Sequence, residues 1–314
     1  MANCDEITCS QHVIVLSGEP LTIDEVNAVA VGSRTATLTD DASTLRRLQE
    51  AQDLVQRAVS EGWRVYGVTS GFGSMSDVTV PSELASGSQH NLLAFLATGA
   101  GKPMDCRHVR AAMLLRANML LRGCSGVRFE IIQRLVRFLE AEATPVVREL
   151  GSIGASGDLV PLAAIGRAIT GQGGSSWVQW KDETFKADDV LRHLELEPLQ
   201  LEPKEALAIV NGTSFSSAIA ANCAHESRRL LGLTLGTNVM MLRALCGQHD
   251  PFLEFIHQCK PHPGQGWTAE VMRRMLQVGE PESQNEPATD HLLSLIHISE
   301  PTRLDARSRM PSSA

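Results

Sequence analysis

With 314 residues, 43% of them hydrophobic and 20% charged, the chain is long enough to bury a substantial core and is neither fibrous nor disordered in composition. Its net charge of −8 is spread along the sequence, and no basic stripe could follow a phosphate backbone, which argues against a nucleic-acid partner. No run of eighteen apolar residues could span a membrane, and the start (Met1-Ala2-Asn3-Cys4-Asp5-Glu6) lacks a signal-peptide pattern, so a cytoplasmic protein without a membrane partner is expected.

From the N-terminus, His12 to Leu16 alternates weakly, as in a short strand, and Thr22 with Glu25 forms a capping box for a helix. Leu48, Ala51, Val55 and Ala58 recur at helical spacing between Ser43 and Ser60, and Gly62 follows as a stop. Tyr66-Gly67-Val68-Thr69-Ser70-Gly71-Phe72-Gly73 carries too much glycine to continue a helix, so a loop is expected there. Helical patterns resume at Ser88–Thr98, at Arg107–Arg122 before Gly123, and at Ser125–Ala143 with Ser125 as cap and Pro145 beyond the end.

After a second glycine-rich loop, 151–157, Asp158 is placed to cap a helix through Thr170, with Gly171 as its left-handed end. Trp177 to Phe185 alternates around Lys181-Asp182 as a small hairpin, Lys204–Ile209 and Thr213 to about Leu245 return to helix, and Lys260–Gln265 reads as a loop between helices. The body of the chain is therefore mainly α, with a small N-terminal α+β part and no internal repeat. Residues 293–303 (Leu-Ser-Leu-Ile-His-Ile-Ser-Glu-Pro-Thr-Arg) resemble the translation of a DNA sequencing-library adaptor, so 293–314 is expected to be a non-native tail.

Seven cysteines (Cys4, Cys9, Cys106, Cys124, Cys223, Cys246 and Cys259) lie scattered without a C-x-x-C pair. They suit neither a disulfide framework nor a zinc site, and reduced thiols, several of them buried, are expected. His257 and His262 have no third ligand at a suitable spacing, so no metal is expected.

The segment Gly151-Ser152-Ile153-Gly154-Ala155-Ser156-Gly157-Asp158-Leu159 fits neither G-x-S-x-G nor G-x-G-x-x-G, and on its own could be an ordinary loop before a helix. It also fits a distinctive chemistry. The Gly157 amide nitrogen can attack the Ala155 carbonyl carbon to close a five-membered ring, and with the loss of two waters Ser156 becomes an exocyclic methylene. That reaction needs no side chain at the attacking nitrogen, a small one at the attacked carbonyl, and a tight bend between them.

This segment resembles the loop of the histidine, phenylalanine and tyrosine ammonia-lyases and the related aminomutases, whose prosthetic group is 4-methylidene-imidazol-5-one (MIO). The similarity extends through the glycine-rich loop at Tyr66, through Asn91-Leu92-Leu93-Ala94-Phe95-Leu96-Ala97-Thr98-Gly99 and Arg110–Asn118, and on to Asn211-Gly212-Thr213-Ser214 and Lys260–Gln265. It covers roughly residues 12 to 280, with several motifs in order. The resemblance implies a helical ammonia-lyase (fumarase/aspartase-like) architecture in which residues 11–292 form the N-terminal and partial central region. Residues 1–10 are expected to be disordered, and the C-terminal helical bundle incomplete.

The resemblance also implies site roles. An electrophilic methylene made from Ala155, Ser156 and Gly157 captures the substrate amine and improves it as a leaving group. Tyr66, the only tyrosine, is the expected base for the β-proton, given that a phenol of ordinary pKa about 10 must be helped by nearby positive charge. Asn211 is expected to hydrogen-bond the electrophile or substrate, or to cap the following helix, and the helix after Asp158 to direct positive potential at the ring. Phe95 and Leu96 resemble the family's selectivity pair, with Leu92 expected to line the same pocket. An apolar pair leaves a phenol hydroxyl unpaired, which favours L-phenylalanine and trans-cinnamate as substrate and product.

No metal or nucleotide cofactor is implied. A homotetramer is, with some active-site groups, among them the arginine for the substrate carboxylate, expected from a later stretch of chain beyond Leu292. The alternatives are an aminomutase, a tyrosine or histidine ammonia-lyase, and an inactive truncated fragment acting only as a helical scaffold.

Overall fold

A computed structural model describes residues 13–153 and 157–277. Ala155 and Ser156, the 1–10 segment with Cys4 and Cys9, and the 293–314 tail lie outside the described residues. The chain forms two compact units, Met1–His225 and Glu226–Ala314.

The first unit opens with β1 (Val13–Leu16), α1 (Ile23–Ala30) and β2 (Thr35–Leu38), the two strands pairing in parallel with Val13 opposite Thr35. The capping box forms as expected. The Thr22 hydroxyl accepts from the Glu25 amide at 3.2 Å, and the Glu25 carboxylate accepts from the Thr22 amide at 2.8 Å. α2 (Ala42–Ser60) follows, started by the Asp41 carboxylate on the Thr44 amide and followed by Gly62 in the left-handed region.

α3 (Ala85–Phe95) and α4 (Cys106–Leu120) match their expected positions to within a few residues, and Gly123 is left-handed after α4. α5 (Phe129–Glu140) starts later than Ser125, and Arg128 before it makes no side-chain cap. Gly126 turns left-handed against α2, where a side chain would overlap Val55, and the Arg128 amide is held by the carboxylate of Glu205 at 3.2 Å. The cap that local sequence assigns to Ser125 thus comes from a residue distant in sequence.

Three short strands escaped the sequence pattern because each is only two to four residues long: β3 (Ala100–Pro103), β4 (Thr144–Pro145) and β5 (Arg148–Leu150). β3 pairs with β5. β4 joins the expected hairpin of β6 (Trp177–Trp180) and β7 (Glu183–Lys186), which turns at left-handed Lys181 and Asp182.

Between β5 and β6 runs α6 (Leu159–Thr170), ended by left-handed Gly171. α7 (Ala187–His193), α8 (Glu205–Val210) and α9 (Ser214–Ala244) complete the order, α9 continuing into the second unit. Asp158 occupies the position before α6 but makes no side-chain cap there. Its carboxylate accepts from the Ser216 amide at 2.7 Å and from the Ser216 and Ser152 hydroxyls at 2.5 and 3.0 Å, so it caps the first turn of α9 instead.

One apolar core joins α1, α3 to α6 and α8, with Leu16, Leu93, Met113, Leu135, Leu162 and Ile209 among its buried members. In the second unit the distal part of α9 packs with Phe252 and α11 (Pro263–Gln277) around a smaller cluster that includes Leu235, Leu242 and Met272, and α10 (Glu254–Cys259) precedes α11 without a buried residue of its own. The loop expected over Lys260–Gln265 ends early, because Pro263 opens α11, a position where its missing N–H is not needed. The described cysteines are all free, Cys106 partly buried and the other four exposed, which corrects the expectation that several are buried.

Two buried carboxylates brace the first unit and can be tested separately. Glu205 is 1% exposed and accepts from Arg128 Nε and Nη2 at 2.8 and 2.6 Å and from the Glu202 amide at 2.8 Å. Arg128 retains some solvent, so Glu205→Ala is expected to cost about 3 kcal/mol, the low end for breaking a buried pair, as read from urea unfolding. Asp158→Ala, which leaves the Ser216 amide unpaired, should cost about 1.5–3 kcal/mol in the same assay, and Ser152→Ala, which loses one contact with Asp158, no more than about 1 kcal/mol. Equal costs for the two would show that the α9 cap is not the main role of Asp158.

Candidate functional site

The candidate residues gather around α8. On the N-terminal side of this helix the buried amide side chain of Gln89 donates to the Gly67 carbonyl at 3.2 Å and accepts from the Leu207 amide at 3.3 Å. That amide belongs to the first turn of α8, where the helix offers no partner of its own. Gly67 packs so closely that a side chain there would meet Leu207 at 2.7 Å. The Tyr66 loop is thereby fixed to α8. Tyr66 itself is half exposed, its Oη accepts from the Gly73 amide at 3.0 Å, and its ring meets Phe72 edge-on with centroids 6.4 Å apart.

At the other end of α8 stand Asn211, whose side chain faces outward, and Gly212. Gly157 lies directly against Gly212: its φ is +79°, and a Cβ on it would fall 2.7 Å from the Gly212 carbonyl oxygen. The next amide, that of Asp158, donates to the same oxygen at 3.0 Å. The Ser152–Asp158 hydrogen bond draws the two ends of the intervening loop together. Absence of a side chain at Gly157 is therefore required by packing as well as by the expected ring chemistry. On these observations Gly157 and its surroundings fit the group implied by the resemblance.

Two helix starts converge here, α6 at Leu159 and α9 at Ser214, each directing the partial positive charge of a helix N-terminus toward this corner. The Asp158 carboxylate sits among them, 1% exposed. A third positive element went unassigned from the sequence. Arg116 of α4 is 1% exposed and donates through Nη2 to the carbonyls of Ala208 and Asn211, the latter at 2.8 Å. Burial pulls its pKa down to about 10, partly opposed by the charge of Asp158, so it stays charged at neutral pH. The signal was present: an arginine within the apolar run Met113-Leu114-Leu115-Arg116-Ala117 has to be buried with that run or break the helix face.

The expected substrate-facing group divides. Gln89, Leu92, Leu93 and Leu96 follow the i, i+3, i+4, i+7 spacing of one helix face, and all four are buried. Phe95 falls outside that stripe and is 79% exposed. Leu92 packs in the core. Leu96 also packs in the core, and borders a cleft of about 150 Å³ with Gly99, Val160 and Pro161. That cleft is smaller than the roughly 300–1,000 Å³ sites that enclose small ligands.

His257 is engaged within its own unit, Nε2 with the Pro251 carbonyl at 3.1 Å and Nδ1 with Gln265 at 3.1 Å. Among the described residues, no helix is long and apolar enough to cross a membrane.

Comparison with known proteins agrees with this architecture. A phenylalanine ammonia-lyase of Nostoc punctiforme is 48% identical over 267 residues, 85% of this chain and 47% of the relative. An aromatic ammonia-lyase of Loktanella atrilutea is 42% identical over 266 residues, 85% of this chain and 48% of the relative. Among solved structures, a tyrosine aminomutase from Streptomyces globisporus superposes with a TM-score of 0.77 at 29% identity, covering 83% of this chain and 48% of that one. The chain spans about half the length of the curated relatives it matches. The family described as aromatic amino acid lyase matches residues 21–292, and the chain belongs to that family.

Proposed function

We propose that the protein containing this chain is a phenylalanine ammonia-lyase, converting L-phenylalanine to trans-cinnamate and ammonia with a 4-methylidene-imidazol-5-one closed from Ala155, Ser156 and Gly157. The observation that carries the reading is Gly157, held left-handed against Gly212, the residue after Asn211, with Ser152 and Asp158 hydrogen-bonded on either side of it in sequence. Once formed, the group supplies an electrophilic carbon for the substrate amine.

The chain's own residues do the remainder. Tyr66 takes the β-proton, on a loop whose position Gln89 and the Gly73 amide define. Asn211 offers a side-chain amide beside the ring, and the starts of α6 and α9 with Arg116 favour negative charge that develops there. Phe95, the exposed member of the selectivity pair, meets the substrate ring, while Leu96 and Leu92 support it from the core. The apolar character of this pair and the phenylalanine ammonia-lyase among the relatives support phenylalanine over tyrosine or histidine.

In this reading residues 11–292 are one region of a longer enzyme that works as a homotetramer. Exposed Leu230, Leu233 and Met240 on α9 support such assembly. The free thiols suit a reducing compartment, and the reading places the enzyme in the cytoplasm. A second reading, an aminomutase, is favoured by the fold shared with the tyrosine aminomutase; recovery of β-phenylalanine as the main product would select it.

Intact mass is the first measurement: the purified chain should weigh two waters less than its translated sequence, and Ser156→Ala should restore the difference. In the enzyme at full family length, Tyr66→Phe should lower cinnamate formation by about 10²–10⁴-fold while leaving the two-water loss in place. A mild effect would remove Tyr66 as the base. Phe95→His, which gives a phenol hydroxyl a partner, should raise the preference for tyrosine over phenylalanine by about tenfold or more in kcat/KM. An unchanged ratio would take Phe95 out of the substrate pocket.

A further inference from the structure

We infer that Arg116 is a positioning residue for ring closure, an inference that rests on the function proposed above. Its guanidinium reaches the two carbonyls, of Ala208 and Asn211, at the end of α8. Gly212 separates it from Gly157: a Cβ on Gly212 would collide with Arg116 Nη1, and the Gly212 carbonyl on the other side touches Gly157 and accepts from the Asp158 amide. The order in space is therefore Arg116, then Gly212, then Gly157. Wherever the guanidinium holds the 208–212 backbone, Gly157 and Asp158 follow.

A helix end can be satisfied more cheaply than this. Water or a neutral side chain would serve two carbonyls, whereas burying a full charge carries a large desolvation cost. Arg116 bears that cost with its Nε buried and without a hydrogen-bond partner. Its electrostatic attraction is to Asp158, the residue that follows the attacking nitrogen. A buried cation one residue layer from Gly157 serves the reaction by fixing the left-handed approach of the residue whose nitrogen attacks.

The balance of the step needs no outside reagent. One bond forms, from Gly157 N to Ala155 C. The first water carries the Ala155 carbonyl oxygen with the amide protons of Gly157 and Ser156. The second carries the Ser156 hydroxyl with the proton from its Cα. No atom is oxidised or reduced by an external partner.

The test follows intact mass over time as the 314-residue chain folds after release from cell-free synthesis, with its urea midpoint measured beside it. Wild type is expected to lose two waters. Arg116→Met should lose them at least about tenfold more slowly, the factor that corresponds to one charge-assisted hydrogen bond. Arg116→Lys, which keeps the charge and can reach one carbonyl, should fall between the two. A residue with a merely structural role would lower the urea midpoint but let every folded molecule dehydrate at the wild-type rate, and that result overturns the inference alone. Full translated mass in the wild type overturns the proposed function and this inference with it. Should the Met variant fail to fold, the Lys variant decides: slowed water loss in folded protein supports the role, and a wild-type rate refutes it.

Discussion

A helix of six residues has almost no stability of its own in water, because nucleation costs more than so few hydrogen bonds return. α8 is such a helix, and the candidate site is assembled on it. It persists because charged groups hold both ends. Glu205 in its first turn is locked to Arg128, and Arg116 closes the carbonyls of its last turn. Both arrangements also match the sign of the helix dipole, negative at the start and positive at the end. Between them α8 connects the Tyr66 loop, through Gln89 and Leu207, with Asn211, Gly212 and Gly157.

The backbone contact of Gly157 with Gly212 follows from that placement. Two chains approach to this degree only where neither carries a side chain, and here each glycine has a different neighbour that forbids one: the Gly212 carbonyl for Gly157, and the Arg116 guanidinium for Gly212. The contact fixes the distance between the N-terminal corner of α6 and the end of α8 without help from side-chain packing.

Local signals in the sequence were sufficient where local physics decides. The Thr22–Glu25 box, the left-handed glycines 62, 123 and 171, and the Lys181-Asp182 turn all appear where residue type and spacing put them. Two departures share one cause, a partner far away in sequence. Ser125 lost its cap role because Glu205, beyond the next three helices, holds the Arg128 amide, and Asp158 left α6 for Ser216 on α9. The strands β3 to β5 carry too few residues to show a period, and are defined only by pairing. Family likeness could name Tyr66, Asn211 and Phe95, but residue pattern alone could not show that Leu92 and Leu96 turn into the core while Phe95 turns out.

That outward turn bears on how the site works. Tyr66 is half exposed, Asn211 faces outward and Phe95 is 79% exposed, although the backbone beneath each is held by buried groups such as Gln89, Arg116 and Leu96. A large exposed phenylalanine and an open tyrosine gain nothing from water, and an aromatic substrate in an open corner would keep much of its own hydration. Catalysis through preorganised charge needs that water excluded, since the field of Arg116 and the two helix starts is strong only in a medium of low dielectric constant. Under the proposed function, the exposed side chains of Tyr66, Asn211 and Phe95 need a further surface to exclude that water before the charge held beneath them can act.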